Sequence, residues 1–157
     1  MGKPIFDLGF WKERIEGAKK GREHYSVYVT HDADWEKINK AHKQIIDKEV
    51  KGRVLDAGCG YGRTSEWLED YVGVDFSPDF IEIAKKKYPH KEFVVSDLRK
   101  LPFKDGEFDW AVCVSIKEMI QSNMGNDEWV AMEKELLRVS KHVLILEYTS
   151  PDKYIVL

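Results

Sequence analysis

The stretch "VLDAGCGYGR" (54–63) decides the fold of this chain, because an apolar run ends there in a glycine-rich turn behind an acid. The glycines stand at 58, 60 and 62, and the acid is Asp56. Glycines at the mouth of a strand let a backbone come close to a nucleotide-like ligand. The dinucleotide pattern G-x-G-x-x-G wants its third glycine at 63, where this chain carries Arg63.

Outward from that loop, short β-rich runs alternate with helical patterns. "RVLDAG" (53–58) reads as a buried strand, followed by a short helix through "RTSEWLED" (63–70) and a second strand, "YVGVD" (71–75). "SPDFIEIAKKKY" (77–88) is a well-marked helix: Ser77 caps it, Pro78 fits its first turn, and Phe80, Ile81, Ala84 and Tyr88 share a face. "EFVVS" (92–96), "FDWAVCVS" (108–115) and "HVLILEY" (142–148) read as three further strands. A helix over 127–140 carries Trp129, Met132, Leu136 and Val139 at helical spacing. Strand alternating with helix implies a doubly wound α/β sheet, mostly parallel with right-handed crossovers.

Residues 1–50 differ from the rest. They are polar and helical, with Trp35, Ile38, Ala41 and Ile45 on one stripe of "DWEKINKAHKQIID" (34–47). Too small for a domain, this segment is expected to pack on the α/β domain of 51–157 and to cover its site. Tyr25 and Tyr28 fit either core or lid, and His31 in "THDAD" fits a surface loop or a substrate contact.

Composition narrows the function. A chain of 157 residues supports one domain, and 43% hydrophobic with 12% aromatic residues is ordinary globular usage. A net charge of −3 gives no electrostatic case for nucleic acid. "AKKKYPHK" (84–91) reads as the solvated end of a helix. Cys59 and Cys113 form no C-x-x-C pair, so neither zinc nor a disulfide framework is expected. No run reaches the ~18 apolar residues of a membrane span, and the N-terminus has neither a signal-peptide core nor a myristoylation pattern. The expectation is a reduced cytoplasmic protein with no metal and no membrane partner, a monomer or a homodimer.

Three acids fall at successive strand ends: Asp56, Asp75 and Asp97. In a doubly wound sheet those ends lie side by side and converge on one crevice. Asp75, 13 residues after Gly62, suits a contact to a ribose diol, since a carboxylate only accepts and needs hydroxyl or amine partners. A pyrophosphate over this loop would be repelled by Asp56, whereas an ammonium and a sulfonium would be attracted. That set points to S-adenosylmethionine. Bland readings stand beside it: Asp75 as a helix cap, Asp97 as the start of a turn before Pro102, and Cys59 as a small buried filler.

"VLDAGCGYGR", "VGVDFS", "VVSDLRKLPFKDGEFDWAVCVS" and "HVLILEY" resemble, in order, the motifs of class I S-adenosylmethionine-dependent methyltransferases, closest to the ubiquinone and menaquinone branch. The resemblance covers roughly 50–148 and implies a Rossmann-like methyltransferase fold. It also implies roles. The loop at Gly58, Cys59 and Gly60 approaches the methionine part, and Asp56 supports that loop and the amino group. Asp75 holds the ribose hydroxyls and Phe76 lies against the adenine. Asp97 accepts from the adenine amino group, the Leu98 N–H meets a ring nitrogen, and Ser115 faces the methionine and the transferred methyl.

The sequence also departs from family patterns. The Asn/Asp-Pro-Pro-Tyr/Phe signature of nucleobase amino-methyltransferases is missing at "VSIKEMI" (114–120), as is the Pro-Cys nucleophile of cytosine enzymes. Few residues follow the fifth strand where the family continues, so the sheet is expected to be C-terminally shortened. Its edge is expected to be closed by a hairpin that lays "YIVL" (154–157) antiparallel on 142–148, or by a second subunit. "IKEMIQSNMGNDEW" (116–129), with a turn at Gly125 and Asn126, is expected to help cover the site.

Methyl transfer disperses charge, so alignment and exclusion of water suffice unless the acceptor must lose a proton. Lys117, Glu118 and His31 are the base candidates and none is assigned as catalytic. The expected function is methylation of a small molecule. The alternatives are a catalytically silent cofactor-binding or partner module, an aminopropyl transferase and, more distantly, a nicotinamide oxidoreductase.

Overall fold

The computed structural model describes residues 8–20 and 32–157. Tyr25, Tyr28 and His31 lie outside the described residues. Two helices, α1 (Leu8–Lys19) and α2 (Asp32–Glu49), precede the sheet. The elements that follow are β1 (Arg53–Ala57), β2 (Asp70–Asp75), α3 (Pro78–Lys87), β3 (Glu92–Val95) and β4 (Phe108–Val114). The chain then forms α4 (Lys117–Asn123), α5 (Asn126–Val139), β5 (Ser140–Leu146) and β6 (Tyr154–Val156).

The six strands run in the order β3-β2-β1-β4-β5-β6. All neighbours pair in parallel except β5 and β6, which are antiparallel. β1 and β4 lie adjacent in the middle, so the chain reverses its direction of travel across the sheet there, at the crevice where open α/β sheets bind ligands. The hairpin expected at the edge is present, with Leu144 opposite Val156 and Leu146 opposite Tyr154. The Tyr154 hydroxyl donates to Glu49 at 2.7 Å, which ties the hairpin to α2.

Each sheet face is covered because the strands alternate. Leu55, Ala57, Val72, Ala111 and Cys113 pack under Trp129, Met132, Leu136 and Val139 of α5. Val54, Val112 and Leu144 on the other face pack with Ile46 of α2 and with Ile81 and Ala84 of α3. Ile15 of α1 joins Tyr61 and Phe80 in a smaller cluster. α3 begins where the sequence predicts, with Ser77 Oγ accepting from Phe80 N at 3.3 Å and Pro78 in the first turn.

Two expectations are corrected. "RTSEWLED" forms only a 3-10 turn at Ser65–Trp67. So few residues separate Gly62 from β2 that a helix has no room to present a buried face, and the Thr64 hydroxyl is bonded to Asp56 rather than capping. On α2 the buried positions are Ile38, His42 and Ile46, while Trp35, Ala41 and Ile45 are half-buried. The face is rotated because Ile46 is the residue that enters the core, and His42 is tolerated there because its Nε2 lies 3.2 Å from the Glu147 carbonyl.

Candidate functional site

The glycine turn between β1 and the 3-10 segment is pinned from beneath. Val74 O accepts from both Gly58 N (2.8 Å) and Cys59 N (2.9 Å), so the turn sits on the end of β2. Gly58 adopts φ +74°, and a Cβ there would lie 2.6 Å from Ile116 Cδ1, so no side chain fits. Gly60 adopts φ +54° but for another reason: a Cβ there would meet no described atom within 4 Å. Its backbone is bare on that side and open to close approach.

Asp75, at the end of β2, faces this turn. One carboxylate oxygen accepts from Gly60 N at 3.0 Å and the other from Ser77 N at 2.9 Å. The side chain thus braces the loop against the start of α3 rather than capping the helix, which Ser77 does. Burial pushes its pKa up to about 6 against the pull of those backbone donors. A carboxylate offers about four acceptor sites, so capacity remains for hydroxyl donors.

Asp56 is buried and its Oδ2 accepts from Tyr71 Oη at 2.8 Å and from Thr64 Oγ1. Both partners fix the turn to β2, so the hydrogen bonds of Asp56 go to loop support. Burial raises its pKa, while Thr64, Tyr71 and the Arg63 charge pull it down. Cys59 is buried and burial holds its thiol well above the ordinary range, with Asp56 and Asp75 adding to the effect, so it is a filler and not a nucleophile.

Asp97 and Leu98 follow β3. Asp97 opens a turn, accepting from Arg99 N at 2.8 Å, and the Arg99 side chain forks onto the same carboxylate. Leu98 is buried in the α5-side core, and Phe76 is half-buried after β2. Ser115 ends β4 at φ +59°, a left-handed conformation rare for a residue with a side chain. Its N–H donates to Leu146 O at 2.7 Å, and its buried Oγ has no hydrogen-bond partner among the described residues. Backbone strain and an unsatisfied hydroxyl at a strand end together mark a position kept for something other than stability.

Several contributors escaped the sequence reading. Arg63 sits over the rings of Trp35 (5.0 Å) and Trp67 (5.7 Å) and donates to Asn39 Oδ1 at 2.9 Å, tying α2 to the glycine turn. Glu147, just past β5, accepts from Glu118 N at 3.2 Å, and burial pushes its pKa up to about 7. Thr149 in turn donates to Glu118. The register of β1 on β2 could have revealed Tyr71, which lies on the same face of β2 as the residue opposite Asp56. No sequence signal pairs Glu147 with Glu118 across 29 residues. Among the described residues no cluster could hold a metal ion, and no helix is long and apolar enough to cross a membrane.

The family described as "Methyltransferase domain" matches residues 55–143. The chain is 30% identical over 114 residues to a demethylmenaquinone methyltransferase of Paenarthrobacter aurescens, spanning 68% of this chain and 42% of that one. It is 37% identical over 68 residues to an 18S rRNA (guanine-N(7))-methyltransferase of Bos taurus, spanning 40% of this chain and 24% of that one. A solved SAM-dependent methyltransferase from Methanosarcina mazei is 25% identical with a TM-score of 0.56, over 64% of this chain and 55% of that one. The chain thus spans less than half the length of these curated relatives.

Proposed function

The chain belongs to the methyltransferase-domain family, with S-adenosylmethionine as its cofactor, and we propose that it methylates a small-molecule acceptor. The observation that carries the reading is Asp75 braced on the Gly60 amide beside a stretch of bare backbone. The donor set fits the cofactor. Asp75 retains acceptor sites for ribose hydroxyls, Arg99 holds the Asp97 carboxyl below its usual range after β3, Phe76 is half-buried after β2, and Ser115 presents an unsatisfied hydroxyl at the end of β4. When bound, S-adenosylmethionine supplies an electrophilic methyl group on a sulfonium.

The chain's own residues then act by placement. The Gly58–Gly60 turn, held by Val74 and Asp75, fixes where the methionine end lies. Asp56 holds that turn through Thr64 and Tyr71. Arg63 ties α2 to the turn through Asn39, which fixes that helix relative to the loop. Glu147 accepts from Glu118 N and so joins the start of α4 to the end of β5. The name of the demethylmenaquinone relative supports a small-molecule acceptor.

Calorimetry with S-adenosylhomocysteine and NAD, followed by turnover of S-adenosylmethionine on a panel of metabolites with a structured RNA as control, tests this. Micromolar S-adenosylhomocysteine binding, no NAD binding and methylation of at least one metabolite are expected. Tight NAD binding, or methylation of RNA alone, overturns it.

A further inference from the structure

We propose that Arg63 forms an anion subsite beside the glycine turn, which takes the carboxylate or phosphate of a small acidic ligand bound together with the cofactor. Its assignment to the methyl acceptor rests on the small-molecule reading given above.

Donor inventory carries the argument. A guanidinium has five N–H donors in a fixed fork and no acceptor. Arg63 Nη1 gives one of them to Asn39 Oδ1 at 2.9 Å. Nε and Nη2 find no acceptor among the described residues, and neither is sealed from solvent. The ring centroids of Trp35 and Trp67 lie 5.0 and 5.7 Å from the guanidinium carbon. Rings stacked on a guanidinium use its face and leave its edge, and that edge matches a carboxylate or phosphate through two parallel N–H bonds.

Charge points the same way. Arg63 is half-buried and burial lowers its pKa, so the cation is partly stripped of water. A cation in such a place is ordinarily paired. Arg53, Arg99 and Arg138 each hold a carboxylate, whereas Arg63 holds none among the described residues. Asp56 is within electrostatic reach, but its Oδ2 is taken by Thr64 and Tyr71.

A second unmet group lies one helical turn away. Asn39 and His42 are three apart on α2, hence neighbours on its surface. His42 is fully buried, and its Nε2 faces the Glu147 carbonyl, which only accepts, so the proton sits on Nε2. Nδ1 is left without a partner among the described residues. An unmet acceptor and an unmet fork of donors that have not closed on each other mark polar space the protein does not fill itself. The bland reading is a clamp that holds α2 on the turn. It accounts for one N–H and the stacked rings, and not for the unused edge.

Calorimetry tests this by titrating benzoate, inorganic phosphate and, as a neutral isostere, benzamide. The proteins are wild type, Arg63→Gln, Arg63→Lys and Asn39→Asp, each saturated with S-adenosylhomocysteine. Wild type is expected to bind at least one anion about 10-fold or more tighter than benzamide, as charged hydrogen bonds predict. Both Arg63 variants are expected to lose that preference, the lysine because a point charge does not present the fork. Asn39→Asp keeps Arg63 and gives it an internal carboxylate. Its anion preference is expected to fall while Tm holds, so it answers the question if an Arg63 variant fails to fold. No preference in wild type, or a retained preference in the variants that fold, overturns the proposal. So does an Arg63→Gln that weakens S-adenosylhomocysteine about 10-fold and leaves 5′-methylthioadenosine, which lacks the amino-acid end, bound as before. The fork would then serve the cofactor's own carboxylate. An anion preference that follows Arg63 beside a metabolite panel without turnover leaves the subsite standing and removes the methylation reading alone.

Discussion

The Tyr71 hydroxyl donates to Asp56 at 2.8 Å through space that Gly73 leaves empty. Gly73 is the residue directly opposite Asp56 in the β1–β2 ladder. A Cβ on Gly73 would lie 2.7 Å from Tyr71 Oη and 2.9 Å from Cys59 Sγ, so a side chain there displaces the hydroxyl from its carboxylate. Three residues two apart or opposite in the pleat thereby build a polar contact inside an apolar sheet face.

Tyr71→Phe removes one of the two donors to a buried carboxylate whose ionisation burial already disfavours. Stability is expected to fall by about 1–3 kcal/mol in urea unfolding, the usual cost of an unsatisfied buried group. Gly73→Ala is expected to cost at least as much, because it clashes as well as disconnecting the pair. Unfolding midpoints within error of wild type for both variants would remove this contact from the stability of the fold.

Asp75 is expected to dominate cofactor affinity among single side chains. Asp75→Ala loses a charged acceptor worth ~1.5–3 kcal/mol, or about 10- to 150-fold in S-adenosylhomocysteine affinity. Since the carboxyl titrates near pH 6 when buried, wild-type affinity is expected to weaken as pH falls through 6. Unchanged calorimetric affinity in Asp75→Ala takes the residue out of the site.

The same group has an opposite effect on stability. Its folded pKa of about 6 lies above the ordinary 3.8, so the folded state binds the extra proton between those values. The stabilising contribution is full below about pH 4 and lost as pH rises through 6, on the order of 3 kcal/mol. Melting curves of Asp75→Asn are therefore expected to lose less stability than wild type between pH 4 and 7. Parallel profiles would show that Asp75 is not held protonated by burial.

His42 works with the reverse sign. Burial lowers its pKa from 6.5 to about 4, with the Arg63 charge adding to the effect. The unfolded chain then binds the extra proton, so the contribution is present above pH 6.5 and lost as pH falls through 4, again on the order of 3 kcal/mol. His42→Gln is expected to flatten the acid side of the stability profile, and hydrogen exchange in wild type at pH 4.5 is expected to open α2 first. An imidazole that titrates at 6.5 by NMR refutes this.

Deleting 154–157 strips the antiparallel partner from β5 and breaks the Tyr154 contacts to Glu49 and Lys48. A lower Tm and concentration-dependent association by sedimentation are expected, because an apolar strand edge then faces solvent. An unchanged monomer with unchanged Tm would show that the edge needs no cover.

Much of the scaffold was legible because its signals are local. Ser77 and Pro78 open α3 through bonds that span three residues, and Trp129, Met132, Leu136 and Val139 bury one face of α5 by helical period alone. The glycines of 58–62 announce a turn with positive φ before any partner is known. On α2 helical spacing carries the stripe from Ile38 to Ala41 and Ile45, whereas the buried face runs from Ile38 to His42 and Ile46, a choice set by how the helix docks on the sheet.

By itself, then, the sequence determined the alternation of strands and helices, the glycine turn, and the three acids at strand ends. Each of these follows from composition and spacing within about a dozen residues. Only the tertiary structure decided what those acids touch. Asp56 is bonded to Thr64 and Tyr71, Asp75 is closed onto Gly60, and Asp97 is forked by Arg99 with Glu128 behind it. Hydrogen bonds between side chains depend on positions set by sheet register and helix docking to within a few tenths of an ångström. No periodicity along a chain carries that information, because the partners meet only after distant strands have paired.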